Sequence, residues 1–321
     1  MKPGEGISKG GARVAIAGGF GFLGTNVTRE LGRRGYEAVP FSRRSGVDIR
    51  DYSQVEAFLK KERCDVVINC AAHVGGIAYN SIATVEIFED NLLIGFNLVR
   101  ACAARGVRKL VNVMPNCTYP GFADVYREPE WWDGPMHDSV LTYGMPRKTM
   151  WVQAWAYAQS GKLKSIHLVL PNLYGPGDHF DPVRSHALGA LVRKIVEAKR
   201  KREKLVEIWG TGSPVREWGF VEDAAEGVVI AMERYDDLKI LNLGQGEGHT
   251  ITAIAELIKE AVGWDGEFVY DTGRPDGAPI KILDDSRMHS ALQWTPKTPL
   301  REGISRTVRW YTDSLKALEA R

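Results

Sequence analysis

Three glycines at positions 18, 21 and 24, in Val14-Ala15-Ile16-Ala17-Gly18-Gly19-Phe20-Gly21-Phe22-Leu23-Gly24, have the types and spacing to bind a dinucleotide pyrophosphate. Glycine lets the backbone approach the phosphates closely. Phe22 and Leu23 would open a helix whose free N–H groups and positive dipole end face the anion. An NAD binder usually carries an acidic residue after its second strand; here the chain reads Phe41-Ser42-Arg43-Arg44. Two arginines there favour a 2′-phosphate, hence NADP over NAD. Asp48 is placed to accept from an adenine amino group, and the small residues Ala71 and Ala72 would pass beneath the pyrophosphate.

These residues need a parallel sheet to hold them. The first half alternates strand-like and helix-like segments, which predicts an α/β, Rossmann-type doubly wound sheet. Predicted strands are 14–17, 37–41, 66–69, 110–113 and 166–170, and predicted helices are 26–34, 53–61, 87–105 and 147–160. Beyond residue 178 the rhythm loosens, with helices expected at 185–200, 251–262 and 299–319. The expected division is a disordered tail at 1–12, an NADP-binding domain at 13–177 and a smaller substrate-binding region at 178–321, with segments interleaving.

The bulk numbers fit a soluble enzyme. The chain has 321 residues, 44% hydrophobic, enough for a sizeable core. A net charge of +2 gives no case for nucleic acid or an anionic membrane. No apolar run reaches membrane-span length, and the Gly- and Lys-rich start lacks a signal-peptide core. Four cysteines (64, 70, 102, 117) show neither metal-ligand spacing nor disulfide density, so a cytoplasmic setting and no metal are expected.

Several further strings, in order along the chain, carry a family resemblance. They are Cys70-Ala71-Ala72, Val74-Gly75-Gly76-Ile77, Asn116-Cys117-Thr118-Tyr119-Pro120, Tyr143, Asn172-Leu173-Tyr174-Gly175-Pro176, Ser185-His186, Trp209 to Glu217, and Arg274-Pro275-Asp276-Gly277. With the glycine fingerprint they resemble the extended short-chain dehydrogenases and, within them, the GDP-L-fucose synthases, which are GDP-4-keto-6-deoxymannose 3,5-epimerase/4-reductases. The resemblance implies NADPH, a nucleotide-diphosphate sugar with GDP favoured, and a homodimer. It implies Cys117 as the base and His186 as the acid of epimerisation, two groups that can titrate near neutral pH. It implies Tyr143 as the acid of the hydride step. Asn116 and Asn172 would touch the substrate, and Arg216 and Lys281 its diphosphate.

Two positions depart from the family pattern. The lysine expected four residues after Tyr143 is Arg147, and Lys148 sits one residue further round the helix. Arg147 keeps the charge that lowers a tyrosine pKa, in a different shape. The serine expected four residues before Tyr119 is Pro115, which has no side-chain donor; Asn116 and Thr118 are the neighbours that could replace it. The leading expectation is therefore an epimerase/reductase. The alternative is an epimerase without net redox, because both altered positions belong to the reductase step. A non-catalytic NADP-binding scaffold would have no need of Cys117, Tyr143 and His186 together.

Overall fold

The computed structural model describes residues 11–182, 184–274 and 276–319. The first ten residues of the expected tail, and Pro275 of the last family string, lie outside them. In chain order the first half runs β1 (Arg13–Ala17), α1 (Phe22–Arg33), β2 (Glu37–Phe41), α2 (Tyr52–Glu62), β3 (Val66–Asn69), α3 (Ile77–Ile82), α4 (Thr84–Arg105), β4 (Lys109–Pro115), α5 (Leu141–Gln159) and β5 (Ser165–Leu170). The second half runs β6 (Asn172–Tyr174), α6 (Ala187–Lys201), β7 (Leu205–Trp209), β8 (Val215–Arg216), β9 (Trp218–Phe220), α7 (Val221–Arg234), β10 (Ile240–Asn242), β11 (His249–Thr250), α8 (Ile251–Val262), β12 (Glu267–Asp271), β13 (Ile280–Lys281), α9 (Ser286–Leu292) and α10 (Leu300–Glu319).

Six strands form a wholly parallel sheet in the order β10-β5-β4-β3-β1-β2. Its middle strands are continuous apolar runs because both faces are covered: every residue of β3 and β5 is buried. One face packs α2, α4 and α5 around Val67, Leu98, Leu110 and Met150. The other packs α1 and α7 around Ile16, Val27, Ile68 and Val228. A separate core under α6, α8 and α10 centres on Val192, Ile208, Ile254 and Ile304.

Two differences from the predicted elements bear on the site. α5 begins at Leu141 rather than Arg147, so Tyr143 and Arg147 share one helix, a turn apart. The helix runs on through Gly144 and Pro146, with Pro146 inside it at the loss of one backbone donor. β10 and α7, from beyond residue 177, complete the sheet and cover one face. β10 has three residues, too few for a periodic signal. Among the described residues no helix is long and apolar enough to cross a membrane.

Candidate active site

The glycine loop is built for close approach. Gly18 sits at φ +73°, and a Cβ there would lie 2.8 Å from the Ala71 Cα. A Cβ on Gly24 would lie 2.2 Å from the Gly18 carbonyl oxygen. Gly21 precedes α1 with no side-chain cap, so the N–H groups at Phe22, Leu23 and Gly24 have no side-chain acceptor from it. Leu23 also packs against the core on that face of the sheet. At the end of β2, Ser42 caps a short turn that presents Arg43 and Arg44 to solvent. Neither forms an ion pair among the described residues, and Arg44 Nη1 donates only to the Phe20 carbonyl at 3.3 Å. A cradle that a Cβ would fill, an uncapped helix start and two uncompensated cations fit a phosphorylated dinucleotide.

Asp48 is already engaged. Its carboxylate accepts from Arg50 at 2.6 Å and stays below the usual carboxylate range, chiefly through that bond. Arg50 also donates to Asp90, which pairs with His73 Nδ1 at 2.8 Å. An adenine amino group would share Asp48 with Arg50. Ala71 is buried and Ala72 exposed at the end of β3, and Asn69 fixes the Ala71 N–H.

Tyr143 and Arg147 face the same end of the sheet. Arg147 is 2% exposed, and its guanidinium lies 5.5 Å from the Tyr143 ring centre and donates to the Ala71 carbonyl at 3.0 Å and Asn91 Oδ1 at 2.8 Å. Its Nε and Nη1 are buried without a partner. Burial pushes the Tyr143 phenol up, and the Arg147 charge opposes that rise. Lys148 points elsewhere. Its Nζ donates to the Trp131 carbonyl at 2.5 Å, lies 4.8 and 4.5 Å from the Trp131 and Trp132 rings, and burial brings its pKa down to about 8. The aromatic stretch around Trp131 is thus a packing cluster that fixes the loop after Cys117.

Cys117 lies in a short turn immediately after β4, with its carbonyl 3.3 Å from where a Gly144 Cβ would be, so α5 passes directly over it. Burial pushes the thiol up; the charges of Lys281 and Arg147 oppose that rise. Thr118 is committed, its hydroxyl donating to the Pro115 carbonyl at 2.8 Å and accepting from Trp131 Nε1 at 2.9 Å. Asn116 is buried with its Nδ2 unpartnered. Of the two possible replacements for the absent serine, Asn116 keeps a free donor.

His186 caps α6 by backbone only, with no side-chain cap bond. Burial lowers its pKa, helped by the charges of His179 and Lys281. The Gly76 N–H donates to the Arg184 carbonyl at 3.2 Å, so the Gly75-Gly76 string meets the Ser185-His186 string in space. Arg216 and Lys281 are register partners on β8 and β13. The Arg216 guanidinium is fixed by the Val215, Pro279 and Asp276 carbonyls, and neither cation forms an ion pair among the described residues. Asn172 opens β6 beside Trp218.

Sequence reasoning passed over three features. Trp209 is 47% exposed, with Lys194 Nζ 5.3 Å and Arg274 Cζ 4.8 Å from its ring centre; Lys194 reads from sequence as a plain solvated helix cation. Asp178 is buried with one carboxylate oxygen unpartnered, and burial raises its pKa to about 7. Tyr126 gave no signal at all, because its neighbours are distant in sequence.

A parallel sheet with a glycine cradle at one strand end and a Tyr–Arg helix pair beside it defines a nicotinamide-dependent oxidoreductase or epimerase site. Residues 14–244 match the NAD dependent epimerase/dehydratase family, and the chain belongs to it. It is similar to a probable GDP-L-fucose synthase 1 of Oryza sativa subsp. japonica, at 37% identity over 95% of this chain and 93% of the relative. Among solved structures it resembles a GDP-6-OMe-4-keto-L-xylo-heptose reductase from C. jejuni, at 28% identity and TM-score 0.89, covering 96% and 99% of the two chains. It also resembles a GDP-mannoheptose C4 reductase from Campylobacter jejuni with NADP bound, at 27% identity and TM-score 0.85, covering 96% and 100%.

Proposed function

We propose that this protein is a GDP-4-keto-6-deoxyhexose epimerase/reductase that uses NADPH and works as a homodimer. The observation that carries the reading is the convergence of Cys117, the Tyr143–Arg147 pair and the Arg216–Lys281 cation pair at the carboxyl end of the sheet. The 4-keto group acidifies the neighbouring C3 and C5 hydrogens. Cys117 removes a proton, leaving negative charge on the C4 oxygen, and His186 returns one on the opposite face, inverting the carbon. Asn116 Nδ2 donates to the C4 oxygen in place of the missing serine hydroxyl. A bound NADPH supplies the hydride that C4 receives. Tyr143 delivers its phenolic proton to the C4 oxygen, and Arg147 stabilises the phenolate left behind.

Arg43 and Arg44 would meet the cofactor 2′-phosphate, and the open Nε and Nη1 of Arg147 its nicotinamide ribose. Asp48, shared with Arg50, would serve the adenine. Arg216 and Lys281 would pair with the diphosphate, with Asn172 beside them, and Trp209 with its two cations offers a platform for the base. The reading without net redox is not favoured: Arg147 places its charge at the Tyr143 ring, and both solved relatives above are named reductases. Dimerisation is supported by exposed Phe96 on α4 and exposed Val152 and Trp155 on α5, two helices packed side by side.

The test is incubation with GDP-4-keto-6-deoxymannose and NADPH in deuterated water. NADPH loss with deuterium at C3 and C5 is expected. Deuterium uptake without NADPH loss would overturn the reductase assignment, and neither signal would overturn the sugar assignment.

A further inference from the structure

We propose that Tyr126 is a specificity-determining residue whose phenol donates a hydrogen bond to a hydroxyl on the C2–C3 edge of the bound sugar. The inference rests on the epimerase/reductase reading for the direction in which the sugar lies.

Tyr126 is fixed on every side except at its hydroxyl. Its N–H donates to the Ile282 carbonyl at 2.8 Å, and its own carbonyl accepts from the Asp284 N–H at 3.0 Å and Asn242 Nδ2 at 2.8 Å. These bonds stitch it to the segment that follows Lys281. Its ring stacks on Tyr119, 4.8 Å between centres with 5° between planes, and Tyr119 is anchored in turn by donating to Asn242 at 2.7 Å. Tyr119 lies two residues after Cys117. The residue is 1% exposed. Buried tyrosines ordinarily find a partner for the O–H; the Tyr126 hydroxyl has none among the described residues.

The Tyr126 ring lies between two parts of the site: its stacking partner Tyr119 follows Cys117 by two residues, and the segment it bonds to follows Lys281, the register partner of Arg216. In the reading above the thiol serves the ring carbons flanking the keto group, and Arg216 holds the diphosphate on C1. A neutral donor lodged between them meets the ring edge that joins C1 to the keto carbon. Burial keeps the phenol protonated well above neutral pH, so it acts as a donor rather than as a base. A rigid donor aimed at one substrate hydroxyl discriminates against a sugar lacking it, because the O–H has no partner among the described residues to take that hydroxyl's place.

Tyr126→Phe removes only the oxygen and keeps the stack on Tyr119. We expect kcat/KM for GDP-4-keto-6-deoxymannose to fall about tenfold. For either the 2-deoxy or the 3-deoxy counterpart, wild type and variant should then be equal. Equal losses on all three sugars, or less than a twofold loss on the parent, would overturn the inference. Binding by calorimetry separates this failure from failure of the parent reading, since it needs no turnover. The variant should bind GDP as wild type does and GDP-mannose about tenfold more weakly; equal weakening of both, or of neither, would also overturn it.

Discussion

Replacing Arg147 with glutamine removes the one cation that the described residues place at the Tyr143 ring. The guanidinium carbon lies 5.5 Å from the ring centre. At an effective dielectric constant of about 20, a unit charge at that distance stabilises a phenolate by about 3 kcal/mol, or roughly two pKa units. Tyr143 is already held above its ordinary value by burial, so loss of the cation moves it further up and, in the proposed hydride step, makes the phenolate left by proton delivery costlier. NADPH oxidation with GDP-4-keto-6-deoxymannose should fall roughly 100-fold in Arg147→Gln. Arg147→Lys keeps the charge and should stay within about tenfold of wild type. Stopped NADPH absorbance at saturating sugar reads both. A loss below about threefold in Arg147→Gln, or equal losses in the two variants, would refute the argument that charge at Tyr143 is what Arg147 contributes.

Lys148→Met should leave NADPH oxidation within about twofold of wild type, because Lys148 is bonded to Trp131 on the far side of the helix; a loss like that of Arg147→Gln would put the wrong cation in the site. The double change Arg43→Ala/Arg44→Ala should raise KM for NADPH by about 10- to 100-fold while leaving KM for NADH nearly unchanged, as loss of charge-assisted bonds to a 2′-phosphate requires. Deuterium exchange at C3 and C5 should rise with pH from neutral into the alkaline range. In the proposed mechanism the thiolate is the base, and burial holds Cys117 above its ordinary value. Lys281→Met removes a charge that opposes this, so the rise should move to higher pH; an unshifted profile would remove Lys281 from the thiol's surroundings. Trp155→Glu should convert the proposed dimer to a monomer in light scattering, and an unchanged mass would place any interface elsewhere.

The sequence by itself determined the parts whose physics is local. Gly18, Gly21 and Gly24 are legible because a Cβ at any of them would crowd neighbouring backbone in the turn, and a buried parallel strand must be a continuous apolar run, as in Val66–Asn69. The four-residue spacing of Tyr143 and Arg147 likewise carries its own geometry once both lie on one helix. What only the tertiary structure decided depends on neighbours far along the chain. It sent Lys148 into the Trp131–Trp132 cluster, spent the Thr118 hydroxyl on Pro115 and Trp131, and left the Asn116 amide free. It closed the sheet with β10, whose three residues are too few to show a period. It stacked Tyr126 on Tyr119 and bonded its backbone to Ile282 and Asp284, more than 150 residues further along the chain by their positions in the sequence. Hydrogen-bond saturation and charge neighbourhood are properties of the packed site, and residue type and spacing do not encode them.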